Sequence, residues 1–276
     1  MEHVENKWMI YKGSNICYQQ FLTNQNKPFL IFLHGFLSCQ FSFRKMIPHL
    51  KQHFNIYTLD IPPFGMSDRK TSFEYSYQNM ADLVIEFMNY HSIDKAHLAG
   101  HSMGGQVALR CAYGHGNRVK SLILLSPSSY LVKADRLSYL LSLFPLFPKI
   151  LRRLLKRKGV FEMLRQSLSN ESLITNHMLK QYKQPFLDRK IYLCMTKMIR
   201  DREGDLSPSM LRNIETKTLL FWGKQDEIIP ISTGYQLLKD LPSASFISFN
   251  NAGHLLPEET PNQICEWMLY HLLKTK

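Results

Sequence analysis

The chain predicts an α/β fold, a mostly parallel, doubly wound sheet with an inserted helical cap, and three observations carry that expectation. Short apolar runs alternate with stretches whose apolar residues recur at helical spacing, the pattern of strand and helix in turn. Several runs are continuously apolar rather than alternating, as strands buried on both faces require, and right-handed crossovers then put helices on both sides of the sheet. The alternation stops after Ser126-Pro127-Ser128-Ser129 and resumes only at Thr218, with a helical, strand-free segment between.

In chain order, residues 8–11 and 16–21 read as an opening hairpin separated by Gly13-Ser14-Asn15. The run 29–33 ends at His34-Gly35 and the run 56–59 ends at Asp60-Ile61-Pro62-Pro63, with a helix expected over residues 41–54 between them. Ala81, Val84, Ile85 and Met88 mark a helix within residues 74–90. A strand at 96–99, a helix at 103–113 and a strand at 119–125 follow. Beyond the interruption, residues 218–223 and 245–249 form the last strands, and residues 259–273 a closing helix. The chain therefore divides into a core of residues 1–129 and 206–276 and a cap of residues 130–205. With 276 residues, 45% of them hydrophobic, it is long enough to bury one sizeable core.

Composition narrows the function classes. Met1 to Lys7 contains acidic residues and no long apolar run follows, so no secretory signal is expected and the chain should begin near Met1. No stretch reaches the roughly 18 apolar residues of a membrane-spanning helix; the nearest, residues 137–150, contains Pro145 and Pro148. Five scattered cysteines (Cys17, Cys39, Cys111, Cys194, Cys265) have no metal-ligand spacing and suit reduced thiols of a cytoplasmic protein. The net charge of +12 is concentrated: residues 131–202 hold sixteen basic side chains against five acidic ones. No nucleic-acid motif accompanies that charge, which argues against a nucleic-acid partner.

The chemistry centres on Gly100-His101-Ser102-Met103-Gly104-Gly105, a G-x-S-x-G pattern between an expected strand and an expected helix. A serine in so tight a turn is strained and needs neighbours without side chains, which Gly100 and Gly104 supply. The turn would project the Ser102 hydroxyl clear of the sheet and aim the Met103 N–H, at a helix N-terminus, where an oxyanion forms. A hydroxyl at neutral pH requires a base, itself held by a carboxylate. Of eleven histidines, His254 is selected by topology, because Asn251-Ala252-Gly253-His254 follows the last strand at the sheet edge that carries Ser102. His3, His49, His53, His91, His177 and His271 fall on helices or termini and are expected to be solvated, whereas His34 and His101 flank the site and orient loops. Asp226, directly after the seventh strand, is the candidate acid; the loop after the sixth strand contains no carboxylate. Phe36, after His34-Gly35, is the second candidate N–H donor of the oxyanion hole.

Together, His34-Gly35-Phe36, residues 60–67, residues 100–105, residues 223–226 and Gly253-His254 resemble the α/β-hydrolase superfamily, over nearly the whole chain. The resemblance implies an eight-stranded sheet, a Ser102–Asp226–His254 triad and no cofactor or metal. Within the superfamily the chain looks like bacterial carboxylesterases and monoacylglycerol-lipase-like enzymes. That implies cleavage of a small-molecule carboxylic ester, of short to medium acyl chain or a monoacylglycerol, through an acyl-enzyme. Pro63 stands where many relatives have glycine. Carbon–carbon bond hydrolases of the same fold typically place tryptophan after the histidine, where this chain has Leu255, and are the weaker alternative. Cofactor-free haloperoxidases share the triad, and some relatives act as ligand-binding signalling modules.

In the cap, an apolar stretch at 139–147 adjoins a basic one at 149–158, as in interfacial helices. Two readings stay open at this stage: peripheral contact with anionic membrane, or an apolar side covering the acyl pocket with merely solvated charges. Acyl length, alcohol and oligomeric state are not encoded in any motif.

Overall fold

The computed structural model describes residues 5–24 and 26–274. Strands β1 (Lys7–Tyr11) and β2 (Ser14–Phe21) form the opening hairpin. Its turn is Lys12-Gly13 rather than Gly13-Ser14-Asn15: Tyr11 pairs with Ser14, and Lys12 and Gly13 take φ of 46° and 72°. Such a two-residue turn matches the right-handed twist of its strands, so Ser14 and Asn15 belong to β2 and pair with Tyr11 and Ile10 of β1. The remaining strands are β3 (Phe29–Leu33), β4 (Asn55–Leu59), β5 (Ala96–His101), β6 (Val119–Leu125), β7 (Thr218–Gly223) and β8 (Ala244–Phe249). All eight make one sheet in the order β1-β2-β4-β3-β5-β6-β7-β8. Only the β1–β2 and β2–β4 pairs are antiparallel.

The expected helix over residues 41–54 is broken. A 3-10 turn, Gln40–Phe43, precedes the short α1 (Ile47–Leu50). Phe43, Met46, Ile47, Leu50 and Phe54 are all buried, so the apolar spacing is helical as read. Pro48 is the reason for the break, since proline without an N–H is accommodated only in a helix's first turn and α1 must start beside it. Helices α2 (Tyr77–Tyr90), capped by the Ser76 side chain on Asn79 N–H, and α3 (Met103–His115) cover one face of the sheet.

Four helices, here called the cap, lie between β6 and β7: α4 (Arg136–Leu143), α5 (Phe147–Ser167), α6 (Asn176–Lys183) and α7 (Lys190–Asp201). Gly159, at φ 71° and ψ 158°, breaks α5 into two halves. The chain returns through α8 (Pro208–Leu211), α9 (Ile231–Asp240) between β7 and β8, α10 (Leu256–Glu259) and α11 (Pro261–Lys274).

Alternation along β3 shows how both faces are sealed: Ile31 and Leu33 join the core under α2 and α3, while Leu30 and Phe32 join a second core with Ile47, Ile264 and Met268. Because β3 and β5 to β8 run parallel, the loops leaving their C-terminal ends converge on one edge, the usual ligand crevice of such sheets. Every candidate site residue lies on those ends, on those loops or in the first turn of α3.

Candidate active site

Ser102 sits between β5 and α3 with φ 51° and ψ −117°, a conformation that L side chains rarely adopt. The neighbouring strand holds it there: Ser102 N–H donates to Leu125 O at 3.0 Å, and Ser128 N–H donates to Ser102 O at 2.9 Å. The glycines are required by close approach. A Cβ on Gly100 would lie 2.4 Å from Gly104 O, and one on Gly104 would lie 2.1 Å from Leu33 O. Both obstacles are backbone, so α3 could not pack against β3 and β5 with larger residues there.

Asp226 and His254 meet across the loops after β7 and β8. Lys224 N–H donates to Phe249 O at 2.9 Å and Gln225 N–H to Ala252 O at 3.0 Å, tying the two loops together. His254 Nδ1 is then 2.8 Å from Asp226 Oδ2. Asp226 Oδ1 accepts from Ile228 N–H at 2.9 Å and Ile229 N–H at 2.8 Å, so the carboxylate cannot rotate freely. Burial pushes the Asp226 carboxyl up, but the hydrogen bond and charge of His254 and the Ile229 N–H outweigh it and leave the group below its ordinary range. An ionised carboxylate there accepts from Nδ1–H and leaves Nε2 as the basic nitrogen.

The flanking histidines hold loops. His101 Nε2 is 2.8 Å from His254 O, the rings lie 4.9 Å apart, and burial pushes His101 down to about 3. His101 is therefore a neutral donor to the His254 carbonyl. His34 is also fully buried and pushed down to about 4; its Nε2 accepts Ile61 N–H at 2.9 Å and its Nδ1 lies 2.8 Å from Gly35 O. That pair of bonds fastens the Gly35-Phe36 loop to the segment after β4. Gly35 packs beside the elbow, for a Cβ on it would lie 3.1 Å from Ser102 Cβ. Phe36 follows, its half-exposed ring 5.1 Å from Phe64. The Met103 N–H, first in α3, has no intrahelical acceptor, like all helix N-terminal amides.

Sequence reasoning missed the fastening of the His254 loop to the cap. Ser167 O, at the end of α5, accepts His254 N–H at 2.8 Å and Leu255 N–H at 3.0 Å. The Glu259 carboxylate accepts Gly253 N–H, Ser169 N–H at 2.6 Å and Ser169 Oγ–H at 2.8 Å. Glu258 is buried, held by Arg44 through both oxygens, by Lys45 at 3.2 Å and by Tyr182 Oη–H at 3.2 Å. A backbone carbonyl carries no sequence signal; the two glutamates just after Gly253-His254 were the only available hint.

One expected surface histidine is not solvated. His91 packs among Tyr18, Tyr57 and Phe87, 3.3 Å from Tyr57 Oη, and burial lowers its pKa, because α2 ends against the sheet rather than in water. His177 is exposed as expected, with one ring edge against Phe41 at 5.0 Å. His3 lies outside the described residues.

A cavity of about 750 Å³ opens between core and cap, walled by Gln40, Phe41, Met66, His177 and Gln181, and a second of about 770 Å³ lies within the cap. Neither is lined by Ser102, Asp226 or His254. Beside His254, Leu255 joins Leu164, Leu168, Met178 and Tyr182 in an apolar cluster. Among the described residues, no three His, Cys, Asp or Glu side chains converge as a metal site would need, and no helix is long and apolar enough to cross a membrane.

The pattern of the alpha/beta hydrolase fold family matches residues 28–261. The chain is 39% identical over 254 residues to the uncharacterized hydrolase YugF of Bacillus subtilis (strain 168), covering 92% of this chain and 93% of that protein. It is 30% identical over 220 residues to a 2-hydroxy-6-oxononadienedioate/2-hydroxy-6-oxononatrienedioate hydrolase of Comamonas testosteroni, covering 77% and 74%. It is 24% identical over 285 residues to a monoacylglycerol lipase of Xenopus laevis, covering 95% and 80%.

Proposed function

This chain belongs to the α/β-hydrolase family, and from that premise we propose that it is a serine hydrolase cleaving carboxylic esters, either short to medium acyl esters or monoacylglycerols. One observation carries the reading: His254 is locked on Asp226 at 2.8 Å, at the sheet edge where Ser102 holds a strained elbow.

In the proposed reaction, His254 Nε2 takes the proton of Ser102 as Oγ attacks the ester carbonyl. Asp226 keeps the Nδ1 proton in place and stabilises the imidazolium. Negative charge grows on the carbonyl oxygen, where the N–H groups of Met103 and Phe36 act as donors; losing one such donor costs on the order of 3 kcal/mol. His254 then returns its proton to the departing alkoxide. Water, activated by the same nitrogen, releases the acid from Ser102 and regenerates the enzyme. No cofactor takes part. Gly100 and Gly104 make the turn possible, and His101 anchors the His254 backbone.

Residues 130–205 act as the lid over this site, on a core formed by residues 1–129 and 206–276. The apolar cluster of Leu255, Leu164 and Leu168 favours an apolar group next to His254. Leu255 also separates this chain from carbon–carbon bond hydrolases that carry tryptophan there, although the Comamonas relative keeps that chemistry as the competing reading. The five cysteines, all buried and unpaired, suit a cytoplasmic enzyme. Anionic membrane is the expected peripheral contact.

The test is hydrolysis of p-nitrophenyl esters from acetate to palmitate, then of monoacylglycerols, with Ser102→Ala as control. Serine-dependent turnover with a chain-length optimum supports the reading. A folded protein inert on all esters, yet releasing product from a vinylogous 1,5-diketone acid, replaces it with carbon–carbon cleavage.

A further inference from the structure

The cap's apolar residues do not all turn inward. In the first half of α5 Leu151 and Leu155 pack against the main core, while Ile150 and Leu154, with Leu146 just before the helix, are 49%, 57% and 47% exposed. At 100° per residue these three form a stripe along one edge of the buried face, with the basic residues filling the arc beyond it. On α4, Leu137 and Leu140, with Phe144 just after the helix, are 67%, 62% and 54% exposed, because the helix packs on α5 and α7 through its other side, where Ser142 is buried. An exposed apolar surface of this extent on a folded chain marks a binding face.

The charge beside it is equally unpartnered. Lys149, Arg152, Arg153, Lys156 and Arg157 line a cleft of about 360 Å³. Among the described residues none of these five forms an ion pair with a carboxylate. Like charges four residues apart on a helix repel, and here three such pairs (149/153, 153/157 and 152/156) are stacked within two turns. A surface that joins concentrated positive charge to exposed leucine, isoleucine and phenylalanine matches one partner in both respects, since anionic phospholipid offers phosphates at the height of the cations and acyl chains just below. Nucleic acid would use the cations and leave the apolar stripe in water.

We propose that the outward face of α4 and the first half of α5 docks on an anionic phospholipid surface, with Leu140, Phe144 and Ile150 entering the acyl boundary and the basic cleft seated on headgroup phosphates. The second half of α5, beyond Gly159, ends at Ser167, whose carbonyl holds His254. Docking therefore brings the lipid surface to the helix that borders the reaction site. This deepens the reading of an enzyme meeting anionic membrane and is tested by binding alone, so its failure is distinct from failure of the ester chemistry.

The experiment is co-sedimentation of the full chain with phosphatidylcholine vesicles, with and without phosphatidylglycerol, at low and high salt. Binding should require phosphatidylglycerol and weaken with salt. Each basic residue near such a surface changes the partition about fivefold, so Arg152→Glu/Arg153→Glu/Lys156→Glu should weaken binding by on the order of a hundredfold or more. Leu140→Ser/Phe144→Ser should weaken it about tenfold even where the cations are intact. Both variants should keep the wild-type thermal melt and wild-type turnover of p-nitrophenyl acetate. Equal binding to neutral and anionic vesicles overturns the proposal, as does no binding by folded protein. Retention on an oligonucleotide column with Leu140→Ser/Phe144→Ser unaffected would reassign the face to a soluble polyanion and equally overturn it.

Discussion

Asp226→Asn changes one functional group at the point where the proposed mechanism is most exposed. In the wild type, Oδ1 accepts two backbone N–H groups at 2.9 and 2.8 Å and Oδ2 faces His254 Nδ1 at 2.8 Å. The amide must keep its oxygen on Ile228 and Ile229, since an NH2 there would face two donors. Its nitrogen then points at Nδ1 and forces the ring into the other tautomer, with the proton on Nε2 toward Ser102. The serine has no base in that state. The tautomer penalty in a triad is on the order of 10⁴ in kcat, about 5.5 kcal/mol of barrier. KM should change little, because no substrate contact is removed. The Asp226 carboxyl lies below its ordinary range, so its ionisation adds stability that is present above the unfolded pKa and lost as pH falls through the folded one. The Asn variant should therefore melt below wild type at neutral pH and approach it in acid. Steady-state kinetics on a p-nitrophenyl ester, with circular dichroism melts across pH, measure both effects. A fall in kcat of less than tenfold in a folded variant would refute the assignment of Asp226 as the orienting acid.

Gly104→Ala puts a Cβ 2.1 Å from Leu33 O and 2.7 Å from His34 O, which no rotamer change relieves; the expected loss is about 4 kcal/mol, read as a Tm lower by about 10 °C. Glu259→Ala removes three hydrogen bonds that hold the His254 loop to Ser169 and Gly253. It should lower kcat about tenfold or more with KM little changed and cost about 2 kcal/mol of stability, and Glu259→Gln should recover part of both. Burial pushes the Asp60 carboxyl up to about 6 despite its bonds from Gln40 and Met66 N–H. A raised folded pKa favours the native state most below the unfolded pKa, and this contribution is lost as pH rises through about 6. Asp60→Asn should flatten that part of the stability–pH curve, and urea midpoints that keep the wild-type slope between pH 4 and 7 would show the carboxylate to be ionised throughout.

What the sequence determined by itself was the frame of the site. Parallel strands buried on both faces must be written as continuous apolar runs, so β3, β6 and β7 were legible to within a residue, and topology then placed Ser102, Asp226 and His254 on loops of one sheet edge in the order Ser, Asp, His. The glycines of the elbow were legible because a tight strand-to-helix turn excludes side chains, and the distances at Gly100 and Gly104 supply the steric reason. Tertiary structure decided whatever depends on what lies opposite. Residues 41–54 have helical apolar spacing, but Pro48 divides them. His91 reads as a surface residue until α2 is laid on Tyr57 and Phe87. Ser167 holds the His254 loop through a backbone carbonyl that any residue would offer. The first half of α5 shows the limit most clearly: with apolar residues around much of the helix, periodicity does not say which of them meet protein. Only the packed cap shows that Leu151 and Leu155 do, and that Ile150 and Leu154 remain exposed beside the basic face.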